Sequence, residues 1–164
     1  MNGYNCLFLD RDGVINKHRP DDYVKTWNEF EFISGSLEAL ARCSNIFRYI
    51  LIVTNQRGVS KGLMSEEMLK SIHEQMVGEI NQNGGRIDKI YYCTASSKDD
   101  INRKPNPGMA LQALRDFPAI EFTRSIMIGD SDSDIEFGRR LGMKTIRVGI
   151  NGLMEAMDLV NSND

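Results

Sequence analysis

No apolar run among these 164 residues approaches the ~20 needed to span a bilayer, so no membrane-spanning helix and no membrane partner are expected. The opening Met1-Asn2-Gly3-Tyr4 lacks the charged-then-apolar pattern of a secretory signal, and a cytoplasmic location is expected. Basic residues are not in excess. Twenty Lys and Arg against 23 Asp and Glu leave a net charge of −3, with the cations scattered. A nucleic-acid partner is not expected, because such affinity rests on a basic stripe facing phosphates. The three cysteines, Cys6, Cys43 and Cys93, are odd in number and far apart. They write neither a disulfide framework nor a CxxC metal site and are expected to be small core residues. Repeats and low-complexity segments are also missing. What is present is ample core material: 41% hydrophobic residues with 26% charged, in a length typical of one domain. A single globular unit over residues 1–164 is expected.

Strand and helix patterns alternate along the chain. The apolar run Cys6 to Leu9 reads as a buried parallel strand. A long connection follows over residues 12–34, carrying Tyr23, Trp27, Phe30 and Phe32, and is either a substrate wall or lid or an irregular packed segment. Leu37, Leu40 and Ala41 then recur at helical spacing, and 49–53 is a second strand ending in the polar turn Thr54-Asn55-Gln56-Arg57-Gly58. Ser65 is an expected N-cap for a helix whose apolar stripe is Leu69, Ile72, Met76 and Ile80, with His73 off the stripe and solvated. A third strand, 87–93, leads to Arg103-Lys104-Pro105-Asn106-Pro107-Gly108, where Asn106 is expected to cap the next helix. A fourth strand, 125–128, ends in Gly129-Asp130-Ser131-Asp132-Ser133-Asp134. A helix, a fifth strand at 144–148 and a short helix over 152–160 complete the order. Such alternation predicts an α/β fold with a mainly parallel sheet flanked by helices and right-handed crossovers.

In open parallel sheets, polar sites gather beyond the carboxyl ends of the strands. Asp10, Thr54, Lys104 and Asp130 all fall just past expected strand ends. Asp10 and Asp12 stand two residues apart in Asp10-Arg11-Asp12-Gly13, where their charges repel unless a cation stands beside them. Asp10 is a candidate nucleophile toward phosphorus, and Asp12 a candidate acid and base. Asp10, the Asp12 carbonyl and Asp130 offer the oxygen ligands that Mg²⁺ prefers. Thr54 and the turn after it, including Asn55 and Arg57, could cradle phosphate, while Lys104 adds fixed positive charge. Asp134, one helical turn past Asp130, could brace the metal ligands or Lys104. Taken singly, each motif could instead be a turn, a solvated lysine or an acidic helix start.

The ordered set Asp10-x-Asp12-Gly-Val, Thr54-Asn55, Lys104-Pro105 and Gly129-Asp130-x-x-x-Asp134 resembles the four motifs of the haloacid dehalogenase (HAD) superfamily of phosphohydrolases, and it covers nearly the whole chain. Asp-Arg-Asp-Gly-Val-Ile-Asn at 10–16, Thr-Asn-Gln-x-Gly-Val at 54–59 and Arg-Lys-Pro-x-Pro-Gly-Met at 103–109 resemble, more narrowly, the heptose bisphosphate and histidinol phosphate phosphatases. The resemblance implies a Rossmann-like core without a large cap domain, an aspartyl-phosphate intermediate on Asp10, acid–base work by Asp12 and dependence on Mg²⁺. The implied substrate is a small phosphorylated metabolite, most simply a heptose bisphosphate, with histidinol phosphate as the alternative. A receiver-like phosphoacceptor module is the rival of another class, because receivers also combine Asp, Mg²⁺, Thr and Lys. Asp12 argues against it, since an acid–base group beside a phosphoryl aspartate promotes hydrolysis.

In one respect the sequence departs from the subfamily. Its members commonly carry a zinc loop of Cys and His before the Arg-Lys-Pro motif, whereas residues 94–102 contain neither. One thiol, Cys93, cannot build a tetrahedral site, and no structural zinc is expected. Arg103 could recognise a second anionic group through its planar fork, and specificity is expected to rest on Trp27, Arg57 and Arg103.

Overall fold

The apolar run Cys6–Leu9 forms β1, buried at every residue, in a computed structural model that describes residues 3–161. It is the middle strand of five. Tyr49–Asn55 (β2), Lys89–Cys93 (β3), Ser125–Gly129 (β4) and Lys144–Arg147 (β5) join it in the order β3-β2-β1-β4-β5, with every pairing parallel. The helices between them are Ser36–Ser44 (α1), Glu66–Gln82 (α2), Gly108–Asp116 (α3), Asp132–Arg140 (α4) and Met157–Val160 (α5).

Alternation along the buried strands makes two cores. Leu7, Leu9, Ile50, Ile52, Ile126 and Ile128 pack with Leu40 and Cys43 of α1, Ile72 and Met76 of α2, and Met157 and Val160 of α5. Their neighbours in sequence, Cys6, Phe8, Leu51, Val53 and Met127, face the opposite side, against Met109 and Ala113 of α3 and Phe137 of α4. Each large apolar side chain so buried contributes about 1.5–3 kcal/mol. The three cysteines are free and buried within these layers, as expected. This is the Rossmann-like α/β fold. No helix among the described residues is long and apolar enough to cross a membrane.

The chain leaves β1 toward β2 and β3, then returns past β1 to β4 and β5. The switch in direction falls between β1 and β4, where an open α/β sheet forms its crevice. Register continues through that point, with Leu9 paired to Ile128 and the Asp10 N–H donating to the Ile128 carbonyl at 3.0 Å. Asp10 and Asp130 thus emerge side by side.

Several local expectations are corrected. Thr54 and Asn55 belong to β2 itself rather than to the turn after it. Asn106 does not cap α3: its amide donates instead to the Lys98 and Asp100 carbonyls and ties the preceding loop, while Pro107 holds the N-cap position. Ser65 does cap α2, accepting from Met68 N. His73 is buried at 6% exposure rather than solvated, because α2 is covered on a broader face than the four-residue stripe implied.

Residues 12–34 divide their work. Val24, Phe30 and Ile33 join the core, and Trp27, in a 3-10 turn at Trp27–Glu29, stacks on Phe30 with centroids 4.9 Å apart. Trp27 is therefore a packing residue and is not among the cleft-lining residues. His18, Arg19, Asp22 and Tyr23 from the same segment do form a cleft wall.

Candidate active site

At the carboxyl edge of the sheet lies a cleft of about 370 Å³, lined by Asp10, Asp12, Asn55, Gln56, Arg57, Arg103, Lys104, Asp130 and Asp134 together with the His18–Tyr23 wall. Its floor is the end of β1. Beyond Asp10 the chain turns at Arg11, whose carbonyl accepts from the N–H groups of Val14 and Ile15, and Gly13 takes a φ of +87°. A Cβ on Gly13 would lie 1.9 Å from Asp130 Oδ2, so glycine is what lets the two acidic loops meet.

Lys104 is 3% exposed and donates to Asp134 Oδ1 at 2.6 Å and to Asp10 Oδ1 at 3.0 Å. Burial alone would lower its pKa, but the charges of Asp10 and Asp134 reverse that and hold the ammonium protonated. Asp134 Oδ2 accepts from the backbone N–H groups of Asp130 and Ser131 and from the Ser131 hydroxyl. Ser131 and Asp134 also form a capping box on α4. Asp134 is thus a brace for Lys104 and the Asp130 loop, with both oxygens committed.

The two motif carboxylates are treated differently. Burial, followed by the charge of Asp134, raises the Asp10 pKa well above the ordinary carboxylate value against the opposing pull of Lys104. Asp130 is raised for the same two leading reasons. Asp12, although desolvated, is held below the ordinary value by the Arg11 guanidinium and by hydrogen bonds. Its Oδ1 accepts from Arg11 Nη2 and Asn16 Nδ2, each at 2.9 Å, and its Oδ2 accepts from Gln56 Nε2 at 2.8 Å.

One oxygen each from Asp10, Asp130 and Asp134 lie within 4.8 Å of one another. The raised pKa values of Asp10 and Asp130 mark negative charge that Lys104 alone does not balance. A hard, oxygen-only donor set with surplus negative charge fits a small divalent cation such as Mg²⁺ and disfavours softer metals. Since Asp134 is committed to Lys104 and the loop amides, Asp10 and Asp130 are the side chains available to such an ion.

The other sequence-expected residues fall into two groups. Thr54 is fully buried; its Oγ1 accepts from Gln56 Nε2 at 2.9 Å and keeps its own hydrogen for donation. Asn55, expected to touch substrate, spends its amide on the backbone of Lys104, accepting from its N–H at 3.0 Å and donating to its carbonyl at 3.2 Å. It lines the cleft and positions Lys104 through both ends of its amide. Arg57 lines the cleft, and among the described residues its guanidinium has no hydrogen bond or ion pair. Arg103 also lines it, with Nη1 donating to the Ser96 carbonyl. Asp132 points away and pairs with Arg147 at 2.5 Å.

Sequence reasoning assigned no role to Arg11, Asn16, Gln56 or His73. Arg11 has 0% exposure, and its Nη1 meets His73 Nε2 at 3.0 Å. A charged residue between two motif aspartates was the available signal.

The fold and this site define a phosphohydrolase built on paired strand-end aspartates with a lysine clamp. The HAD-hydrolase-like family model matches residues 101–159. A Mycobacterium bovis D-glycero-α-D-manno-heptose-1,7-bisphosphate 7-phosphatase is 41% identical over 137 residues, covering 83% of this chain and 72% of the relative. A Rhodopseudomonas palustris D-glycero-β-D-manno-heptose-1,7-bisphosphate 7-phosphatase is 36% identical over 150 residues, covering 87% and 82%. Among solved structures, the D,D-heptose 1,7-bisphosphate phosphatase of B. bronchiseptica, complexed with magnesium and phosphate, superposes with a TM-score of 0.79 at 27% identity, over 95% of this chain and 99% of that one. The chain belongs to the HAD superfamily, in the family of the heptose bisphosphate phosphatases. It is a phosphoric monoester hydrolase, and the receiver-like alternative is not favoured.

Proposed function

We propose that residues 1–164 act as one cytoplasmic catalytic unit, a Mg²⁺-dependent phosphomonoesterase whose substrate is D-glycero-D-manno-heptose 1,7-bisphosphate. The observation that carries the mechanism is the unequal setting of the two motif carboxylates. Asp10 faces Asp130 and Lys104, while three donors fix Asp12. The substrate assignment is supported by relatives that share the heptose name.

In the first step an Asp10 oxygen bonds to phosphorus as the ester P–O bond breaks, and Asp12 gives a proton to the departing oxygen, releasing the sugar alcohol. Asp12 rests ionised and takes up a proton from solvent as the phosphate dianion arrives beside it and raises its proton affinity. In the second step Asp12 takes a proton from water, whose oxygen bonds to phosphorus as the Asp10–phosphorus linkage breaks. Inorganic phosphate leaves, the proton on Asp12 returns to solvent, and both carboxylates are regenerated. Mg²⁺ bound by Asp10, Asp130 and the Asp12 carbonyl would neutralise the phosphoryl oxygens next to the carboxylates. Lys104 orients Asp10 and faces the transferring group, Thr54 donates to a phosphoryl oxygen, and Arg57 and Arg103 recognise the anionic far end of the substrate.

The test is kcat/KM with Mg²⁺ over both anomers of the heptose bisphosphate, histidinol phosphate and a set of simple sugar phosphates. The heptose bisphosphate should lead by at least tenfold, about 1.4 kcal/mol of transition-state preference. Preference for histidinol phosphate, or uniformly low values, would overturn the substrate assignment.

A further inference from the structure

The mechanism leaves one buried titratable group unused. His73 occupies the covered face of α2 beside Ile72 and Met76, a position that an apolar residue would fill at lower desolvation cost. Its Nε2 lies 3.0 Å from Arg11 Nη1. A guanidinium has only donors, so Nε2 must be the unprotonated acceptor and Nδ1 carries the hydrogen. Burial, together with the Arg11 charge, pushes the His73 pKa down to about 3, so the imidazole stays neutral. Arg11 is fully buried beneath the Phe30 ring, 5.9 Å from its centroid, and its other terminal nitrogen holds Asp12 Oδ1 at 2.9 Å. Two bonds therefore lead from α2 to the acid–base carboxylate.

We propose that His73 is a positioning residue for proton transfer: its neutral imidazole aims Arg11, and Arg11 locks Asp12 Oδ1 so that Oδ2 is the oxygen that exchanges the proton. The assignment rests on the phosphatase reading above. Oδ1 is filled by two donors, Arg11 and Asn16, whereas Oδ2 meets only the Gln56 amide. In the forward step the Oδ2–H bond breaks and the hydrogen passes to the ester oxygen as that oxygen leaves phosphorus. If the guanidinium swings, the carboxylate turns with it and the proton misses the leaving oxygen. A misdirected acid should penalise poor leaving groups more than good ones, because a good leaving group departs without protonation.

The experiment compares kcat/KM, which reports the chemistry through formation of the aspartyl phosphate, for phenyl phosphate and p-nitrophenyl phosphate with Mg²⁺. His73→Leu should lower the phenyl phosphate value about 10–100-fold, the range seen when a supporting hydrogen-bond partner is removed. The p-nitrophenyl phosphate value should fall by less than about threefold, since little proton donation is needed there. His73→Gln, which keeps a neutral acceptor of similar reach, should restore both. If the leucine variant does not fold, His73→Asn, whose amide is too short to reach Arg11, should give the same split. Equal losses on both substrates, or none, would overturn the role of His73 while leaving the phosphatase reading standing. Wild-type protein without Mg²⁺-dependent activity on either ester or on the heptose bisphosphate would overturn both.

Discussion

Lys104 is held more closely by Asp134 than by Asp10, at 2.6 Å against 3.0 Å. The lysine is thus anchored by a residue of α4 and lent to the nucleophile, and Asp134, 1% exposed, joins the two loops. Asp134→Ala removes the buried partner of a buried cation along with the acceptor of two loop amides. Loss of one member of such a pair costs about 3–5 kcal/mol. Urea unfolding should show a loss of that size. Asp134→Asn, which keeps the amide-accepting oxygen, should lose less stability than alanine while still losing activity.

Asp10→Asn removes the nucleophile but keeps the shape of the site. Phosphate release should fall by roughly 10³-fold or more, as for other nucleophiles that act within a catalytic set. Far-ultraviolet circular dichroism should be unchanged, and near-normal turnover would refute the aspartyl-phosphate route.

Asp10 and Asp130 carry pKa values raised by burial and then by Asp134. A raised folded pKa contributes stability that is fully present below the ordinary 3.8 and is lost as pH rises through the folded value. Metal-free protein therefore holds both carboxylates at a cost near neutrality, and Mg²⁺ should relieve it. The gain in Tm on adding Mg²⁺ should grow between pH 4 and pH 8, reaching the equivalent of about 2.7 kcal/mol at a hundred times Kd. In Asp130→Asn the metal-free protein should be more stable than wild type, with most of the Mg²⁺ response gone.

Gly13→Ala places a methyl group where Asp130 Oδ2 lies, at a φ of +87° that disfavours a side chain. Asp130 must shift. The apparent Mg²⁺ affinity in an activity titration should weaken by about 10-fold or more, comparable to losing a ligand-orienting contact.

His73 gives the opposite pH sign. Its folded pKa is depressed from 6.5 to about 3 by burial and then by Arg11. The unfolded chain therefore binds the extra proton between those values. The His73 contribution is present above pH 6.5 and is lost as pH falls toward 3, at up to about 1.4 kcal/mol per pH unit. Denaturation of wild type and His73→Gln across pH 4–7 should show the steeper acid loss in wild type.

The sequence by itself determined the strand order in the chain, the parallel class and the four motifs at Asp10-Asp12, Thr54-Asn55, Lys104-Pro105 and Asp130-Asp134, because hydrophobic period and turn residues are local signals. Ser65 as a cap and the buried cysteines were legible for the same reason. Asn106 misled: the same residue type caps helices and ties loops, and its bonds to the Lys98 and Asp100 carbonyls depend on where that loop returns. Only the tertiary structure decided that Asn55 serves the Lys104 backbone, that Trp27 stacks on Phe30 away from the cleft, and that His73 lies behind Arg11. These are contacts across 49 and 62 residues in two of the cases, formed when the loop before α3 returns to the end of β2 and when α2 packs behind the residue that follows Asp10. Local patterning sets which groups a strand end or helix face carries; the partner that each group meets, and hence its charge state, depends on packing between distant segments.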